Sequence, residues 1–167
     1  MKKLLLVRHA KSSWDHPLLS DHQRPLAARG KRDAPRMAKR LLVNRIFPEK
    51  ILSSDAERAV QTAERFLEEF ARHEPEFEKT GELYHATSGN IMNCIRQTPD
   101  RIDCLFVFGH NPGLTDLVNS LGERLDNLPT AAVFGFQFAC SRWEKISRKN
   151  ASFWLYDFPK NESPKIF

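Results

Sequence analysis

The sequence predicts an α/β fold: a three-layer α/β/α sandwich on a mostly parallel central sheet with an antiparallel edge. Three observations carry this reading. Apolar runs of strand length alternate with longer stretches of helical periodicity, the pattern of strands joined by crossover helices. The most apolar run, DCLFVFG at residues 103–109, is nearly continuous, as a parallel strand covered on both faces must be. Two runs rich in β-formers, AAVFGFQF and ASFWLYDF, follow near the end with a polar segment between them, and suit an antiparallel hairpin at a sheet edge.

The elements follow in order. Residues 3–8 form the first strand. Lys2 and Lys3 ahead of Leu4 to Val7 look like the opening of a secretory signal, but Arg8 and His9 end the apolar stretch well short of the roughly 7 to 15 residues a signal needs. Residues 12–30 lack periodicity and are expected as a long loop over the sheet edge, a kind of segment that is often functional. Residues 31–44 read as a helix on Ala34, Met37, Ala38, Leu41 and Leu42, and residues 50–53 as a short strand. Residues 56–71 form a helix whose Ala59, Ala63, Phe66 and Phe70 share one face. FEKT supplies a short strand and residues 88–97 a helix. After DCLFVFG, Asn111 as cap, Pro112 at the first helical position and Gly122 just past the end bracket another helix.

At 167 residues the chain is expected to be one domain, 1–167, with a tail from about 159 loosely held. Its 41% hydrophobic and 28% charged residues match ordinary globular proteins. No stretch approaches the roughly 20 apolar residues of a membrane span. Cys94, Cys104 and Cys140 are widely spaced, and are expected to be reduced and buried in a cytoplasmic protein. The net charge of +5 raises the question of anionic partners, but the 26 basic residues are spread along the chain, which favours a solvated surface over a nucleic-acid face.

Ligands of open α/β sheets bind beyond the carboxyl ends of the strands. Here those ends carry Arg8-His9, SSDAER and GHNPG. Ser54 and Glu57 have the spacing of a capping box, which starts a helix near Asp55 or Ala56 and puts Arg58 in its first turn, leaning back towards the strand end. The alternative is an exposed Arg58 paired with Glu57 or Asp55. His110, between strand and helix, is by itself as compatible with a structural hydrogen bond as with catalysis. Together, two histidines and two arginines from three strand ends suit phosphoryl transfer. A neutral imidazole attacks phosphorus, guanidinium groups hold the oxygens through forked hydrogen bonds, and His110, if protonated, adds a further positive donor. The arginines would fill the electrostatic role that a metal plays elsewhere, so no cofactor is expected.

LLLVRHA, RPLAARG, LSSDAERAVQTA and FGHNPGLTDLV, in this order, resemble the histidine phosphatase superfamily, also called phosphoglycerate mutase-like, and within it the compact SixA-type phosphohistidine phosphatases. The likeness runs from the first strand to about Val118. It implies a phosphoglycerate mutase-like fold, His9 as the phosphorylated nucleophile, Arg8 and Arg58 as phosphate-binding arginines and His110 as the second catalytic histidine. Arg24, in the RPL segment, either approaches the pocket or pairs with Asp21. Two departures stand out. The superfamily's RHG is RHA here, so Ala10 must take a backbone conformation that alanine tolerates. In the region where relatives carry an acid, this chain has GELYHATSG, which leaves Glu82 or His85 as the possible proton donor.

A weak or missing acid favours phosphohistidine as substrate, because its imidazole leaving group departs with little help whereas an alkoxide needs a proton. The expectation is therefore a metal-independent phosphatase acting on phosphohistidine in a protein such as a phosphotransfer domain, with inorganic phosphate as product. The alternatives are a phosphomonoesterase on a small phosphate ester, for which an acid at Glu82 or His85 would speak, and a non-catalytic phosphate- or nucleic-acid-binding module.

Overall fold

The computed structural model describes residues 1–163 and the backbone of Lys165 and Ile166. Its strands are β1 (Lys2–Arg8), β2 (Lys50–Ser54), β3 (Glu76–Thr80), β4 (Cys104–Gly109), β5 (Val133–Phe138), β6 (Ala151–Asp157) and the short β7 (Lys165–Ile166). Its helices are α1 (Ala28–Val43), α2 (Glu57–Glu69), α3 (Ser88–Arg96) and α4 (Gly113–Ser120). The sheet order is β3-β2-β4-β1-β5-β6-β7. β1 to β4 are mutually parallel, and β5, β6 and β7 continue the sheet antiparallel from β1. The α/β sandwich with an antiparallel edge is thus the observed fold.

Alternation along the strands sorts the core into two layers. Leu4 and Leu6 of β1, with Leu105 and Val107 of β4, pack on the α3/α4 face against Ile91, Ile95, Leu114 and Leu117. Leu5 and Val7, with Phe106 and Phe108, pack on the other face against Met37 and Leu41 of α1 and Phe66 of α2. This follows from handedness: the chain runs outward from β1 through β2 to β3 over one face, then returns to β4 and β5 over the other, as right-handed crossovers require when direction reverses. The reversal leaves the ends of β1 and β4 side by side, Arg8 opposite Gly109, with β2 next to them.

Several expectations change in detail. Residues 12–30 are not all loop: Ser12 bridges Leu26, Asp21–Gln23 form a 3-10 turn, and α1 starts at Ala28. Gly30 lies inside α1 because the chain after β1 presses on it; a Cβ there would sit 2.2 Å from the Lys11 carbonyl oxygen. Pro112 takes the N-cap position of α4 and Asn111 lies one residue outside, yet the Asn111 Oδ1 still caps, accepting from the backbone N–H and hydroxyl of Thr115. Gly122 follows the C-cap with φ of 107°, a left-handed position suited to glycine. Ser54 and Glu57 form no capping box: the N-cap of α2 is Ala56, Glu57 accepts instead from the Gln61 side chain, and the Ser54 hydroxyl turns into the site.

Lys2 is no signal-like surface cation. It is buried, and its ammonium donates to the Ile102 carbonyl and pairs with Asp103. Cys94 and Cys104 are buried free thiols, but Cys140 is only partly covered. The tail expected to be loose is held at its start, where Arg40 donates to the carbonyls of Phe158 and Pro159 while pairing with buried Asp157, and Lys165–Ile166 pairs with β6. Pro164 and Phe167 lie outside the described residues. Among the described residues no helix is long and apolar enough to cross a membrane.

Two glycines should respond with opposite signs. Gly30→Ala forces Lys11 off Gly30 and should cost about 1 to 3 kcal/mol despite better helix propensity. Gly89→Ala in α3, where an added Cβ meets nothing closer than 3.9 Å, should stabilise by about 0.4 to 1 kcal/mol. Urea midpoints at constant m-value check both.

Candidate active site

The ends of β1, β2 and β4 and the first turn of α2 converge with the residue 12–24 segment on a cavity of about 210 Å³ lined by Arg8, His9, Arg24, Arg58, His85 and His110, among others. His9 leaves β1 with its backbone N–H bonded to Gly109 O. Its ring is nearly buried, and Nδ1 lies 2.8 Å from the Ala10 carbonyl. A carbonyl only accepts, so Nδ1 carries the hydrogen and donates, which leaves the lone pair on Nε2. Burial first, then the cations Arg58, Arg8 and Arg24, push the His9 pKa down to about 3, so the ring is neutral near neutral pH.

Ala10 is buried and is not among the residues with positive φ, so the alanine costs no backbone strain. Its N–H donates to the Thr62 hydroxyl, which in turn donates to the Arg58 carbonyl one turn back in α2. This chain of bonds ties the segment after β1 to the helix that carries Arg58. From the other side, the Ala131 N–H reaches the carbonyls of Arg8 and His9, with Ala131 itself held at φ of 61°.

Arg58 is 3% exposed and does lean back towards the strand ends. It pairs with neither Glu57 nor Asp55. Its two terminal nitrogens donate to the backbone carbonyl and carboxylate of Asp21. Arg24 meets both of its expectations at once: it lines the cavity, and it also pairs with Asp21 while donating to the Ser12 hydroxyl and stacking 3.7 Å from the Trp14 ring centre. Arg8 donates to the Leu128 carbonyl, and burial, then Arg58, lower its pKa.

His110 stands with its ring centre 5.2 Å from that of His9. Its Nε2 is 2.8 Å from the Ser54 hydroxyl. Burial, followed by His9, Arg58 and His85, holds its pKa down at about 2; the protonated His110 considered from the sequence is therefore not the form of the ligand-free site at neutral pH. Among the described residues, the buried side-chain polar atoms without a hydrogen-bond partner are Arg8 Nε, Arg58 Nε and His110 Nδ1. All three belong to residues lining this one cavity.

The possible proton donors separate. Glu82 is not at the cavity: the 3-10 turn Gly81–Leu83 directs it towards α3, where its carboxylate accepts from Cys94 Sγ at 3.5 Å. His85 does line the cavity, 5.5 Å from His110 between ring centres, with Nε2 3.1 Å from the Asp21 carboxylate. The group that the sequence did not single out is Asp21 itself. Its carboxylate accepts from Arg58, Arg24, the Tyr84 hydroxyl and His85. Burial would raise its pKa, but the bonds from Tyr84, His85 and Arg58 outweigh that and hold it below the usual carboxylate range. The signal available was its place three residues before Arg24 in a loop of otherwise mixed character.

Comparison with known proteins identifies the family and the fold. The sequence profile of the histidine phosphatase superfamily (branch 1) matches residues 4–94. An uncharacterised chloroplastic protein of Arabidopsis thaliana is 33% identical over 153 residues, 86% of this chain and 70% of that one. Among solved structures, a protein from Agrobacterium tumefaciens solved under the name of phosphohistidine phosphatase SixA superposes with a TM-score of 0.81 at 24% identity, covering 95% of this chain and 98% of that one. The protein histidine phosphatase SixA complexed with tungstate gives 0.78 at 24%, covering 94% and 97%. A mycobacterial glucosyl-3-phosphoglycerate phosphatase gives 0.65 at 15%, covering 95% and 98%. At these identities the structural likeness is one of fold.

The two depressed histidines make stability pH-dependent. Below about pH 6.5 the unfolded chain takes up protons at His9 and His110 that the folded chain refuses, so stability should fall as pH drops from 6.5 to 4.5, by up to about 1.4 kcal/mol per pH unit for each ring. Urea melts across that range should show the slope, and His110→Asn should flatten it by about half.

Proposed function

The chain belongs to the histidine phosphatase superfamily, and from that premise we propose that it is a metal-independent phosphatase that works through a phosphohistidine at His9, with phosphohistidine in a protein as its substrate. The observation that carries this is the convergence on one cavity of Arg8, Arg58 and His110 with His9, whose Nδ1 is bonded to the Ala10 carbonyl and whose Nε2 lone pair is free. Neutral His9 attacks phosphorus through Nε2; the new N–P bond forms as the bond to the leaving group breaks. Arg8 and Arg58 hold the phosphoryl oxygens through charge-assisted bonds, and His110 adds a donor that gains basicity once a dianion lies beside it. Water then attacks phosphorus, His9 Nε2 leaves, and inorganic phosphate departs. The cavity, about 210 Å³, has room for the phosphoryl group.

A phosphomonoesterase acting on a small phosphate ester is the second reading. His85 favours it, because a histidine on the cavity wall, paired with Asp21, is placed to protonate an oxygen leaving group. A non-catalytic phosphate-binding module has less support, since binding alone gives no reason to keep His9 neutral and its Nε2 unpaired.

His9→Ala should lower phosphate release about a thousandfold or more with EDTA present throughout, and wild-type enzyme quenched in turnover should carry acid-labile, alkali-stable phosphate on His9; equal rates for the two proteins would sink the nucleophile assignment. Competition at equal concentration among a phosphohistidine protein, a phosphoserine peptide and a sugar phosphate decides the substrate, with the phosphohistidine protein expected to win. His85→Gln should slow an alkyl phosphate about 100-fold and leave phosphohistidine nearly unchanged; equal losses on both would remove His85 as the acid.

A further inference from the structure

We propose that the tip of the loop after β1, with Trp14, Leu18 and Leu19 at its crest, is a docking ridge for a phosphorylated polypeptide whose phosphohistidine is bordered by apolar side chains. This rests on the function proposed above and names how the partner is held. The large hydrophobic side chains exposed on the described residues are few, and three of them fall within this short stretch: Trp14 is 71% exposed, Leu18 99% and Leu19 40%. Single exposed leucines are ordinary; three large exposed apolar side chains within six residues of a loop whose Trp14 lines the cavity are not.

The ridge is built to stand in water. The loop is tied at its base, Ala27 N–H to Lys11 O and Ser13 N–H to Pro25 O, and its tip is turned by Leu19 N–H to His16 O. Trp14 is fixed from below by the Arg24 guanidinium 3.7 Å from its ring centre, and it also forms part of the cavity wall. A rigid, amphipathic tryptophan stacked on an arginine is the composition of a binding hot spot, and the leucines beside it in sequence add exposed apolar surface.

Cavity size says what lies on the ridge. About 210 Å³ is below the roughly 300 to 1,000 Å³ of pockets that enclose a small molecule. The phosphoryl group fits inside; whatever carries it must lie across the rim, where Trp14 of the ridge forms part of the wall. Asp15, exposed within the tip, disfavours an anionic membrane as the occupant.

The test uses three probes: free phosphohistidine, a phosphohistidine peptide flanked by leucines and the same peptide flanked by serines. Wild-type kcat/KM should favour the leucine-flanked peptide about tenfold or more. The double variant Leu18→Ser, Leu19→Ser should lose that preference and keep its rate on free phosphohistidine within twofold. A wild-type enzyme indifferent to the flanks, or a preference that survives in the variant, overturns the ridge while leaving the phosphatase reading intact. Equal loss on all three probes also overturns it, as does co-sedimentation with phosphatidylserine vesicles that the variant abolishes. Failure of the wild-type enzyme on every phosphohistidine probe overturns phosphohistidine as the substrate, and the ridge with it.

Discussion

Positive charge crowded around a neutral imidazole is what the site must sustain, and Asp21 is what makes it sustainable. Arg8, Arg24 and Arg58 lie around one small cavity, and Arg58 depresses the pKa of both Arg8 and His9. At the separations of such a cavity, like charges cost several kcal/mol wherever water is partly excluded. Asp21 bonds two of the three guanidinium groups directly, and its backbone carbonyl and carboxylate take both terminal nitrogens of Arg58. One carboxylate thus positions the arginines without neutralising every donor. It also orients Tyr84 and His85, so the same contact organises the wall opposite β1.

Much of this was legible in the letters. DCLFVFG had to be a strand buried on both faces, and the sheet places its end beside that of β1, so GHNPG and LLLVRHA meet as the strand-end argument requires. Arg58 was legible because helical side chains lean towards the helix start. Asp21 was not, because its role comes from four partners distributed from residue 24 to residue 85, and only the fold brings them together. Glu82 and His85 show the same limit in miniature. They are three residues apart, equally near the site by count, and a single 3-10 turn sends one carboxylate to Cys94 and one imidazole to the cavity.

Backbone contacts were hidden for a related reason. Ala10 raised a question of conformation that its φ answers, since the position needs no left-handed geometry and the buried methyl group joins the α1/α2 core. Gly30 raised none, although its missing side chain matters, because Lys11 passes against it. Ser54 and Glu57 fit a capping pattern that local rules favour, but the His110 ring offers the Ser54 hydroxyl a tertiary partner, and the local pattern yields.

The closed base of the loop between β1 and α1 has a consequence for how such a protein can change over time. The bonds at Lys11–Ala27 and Ser13–Pro25 separate the tip from the strand ends that carry His9 and His110. Leu18 and Leu19 beyond those ties are exposed, so replacing them removes almost no packing from the core, whereas Asp21 and Arg24 in the same loop are held by their pairs in the site. Surface positions of the loop can therefore vary over time without disturbing the groups that the sheet and Asp21 hold in place.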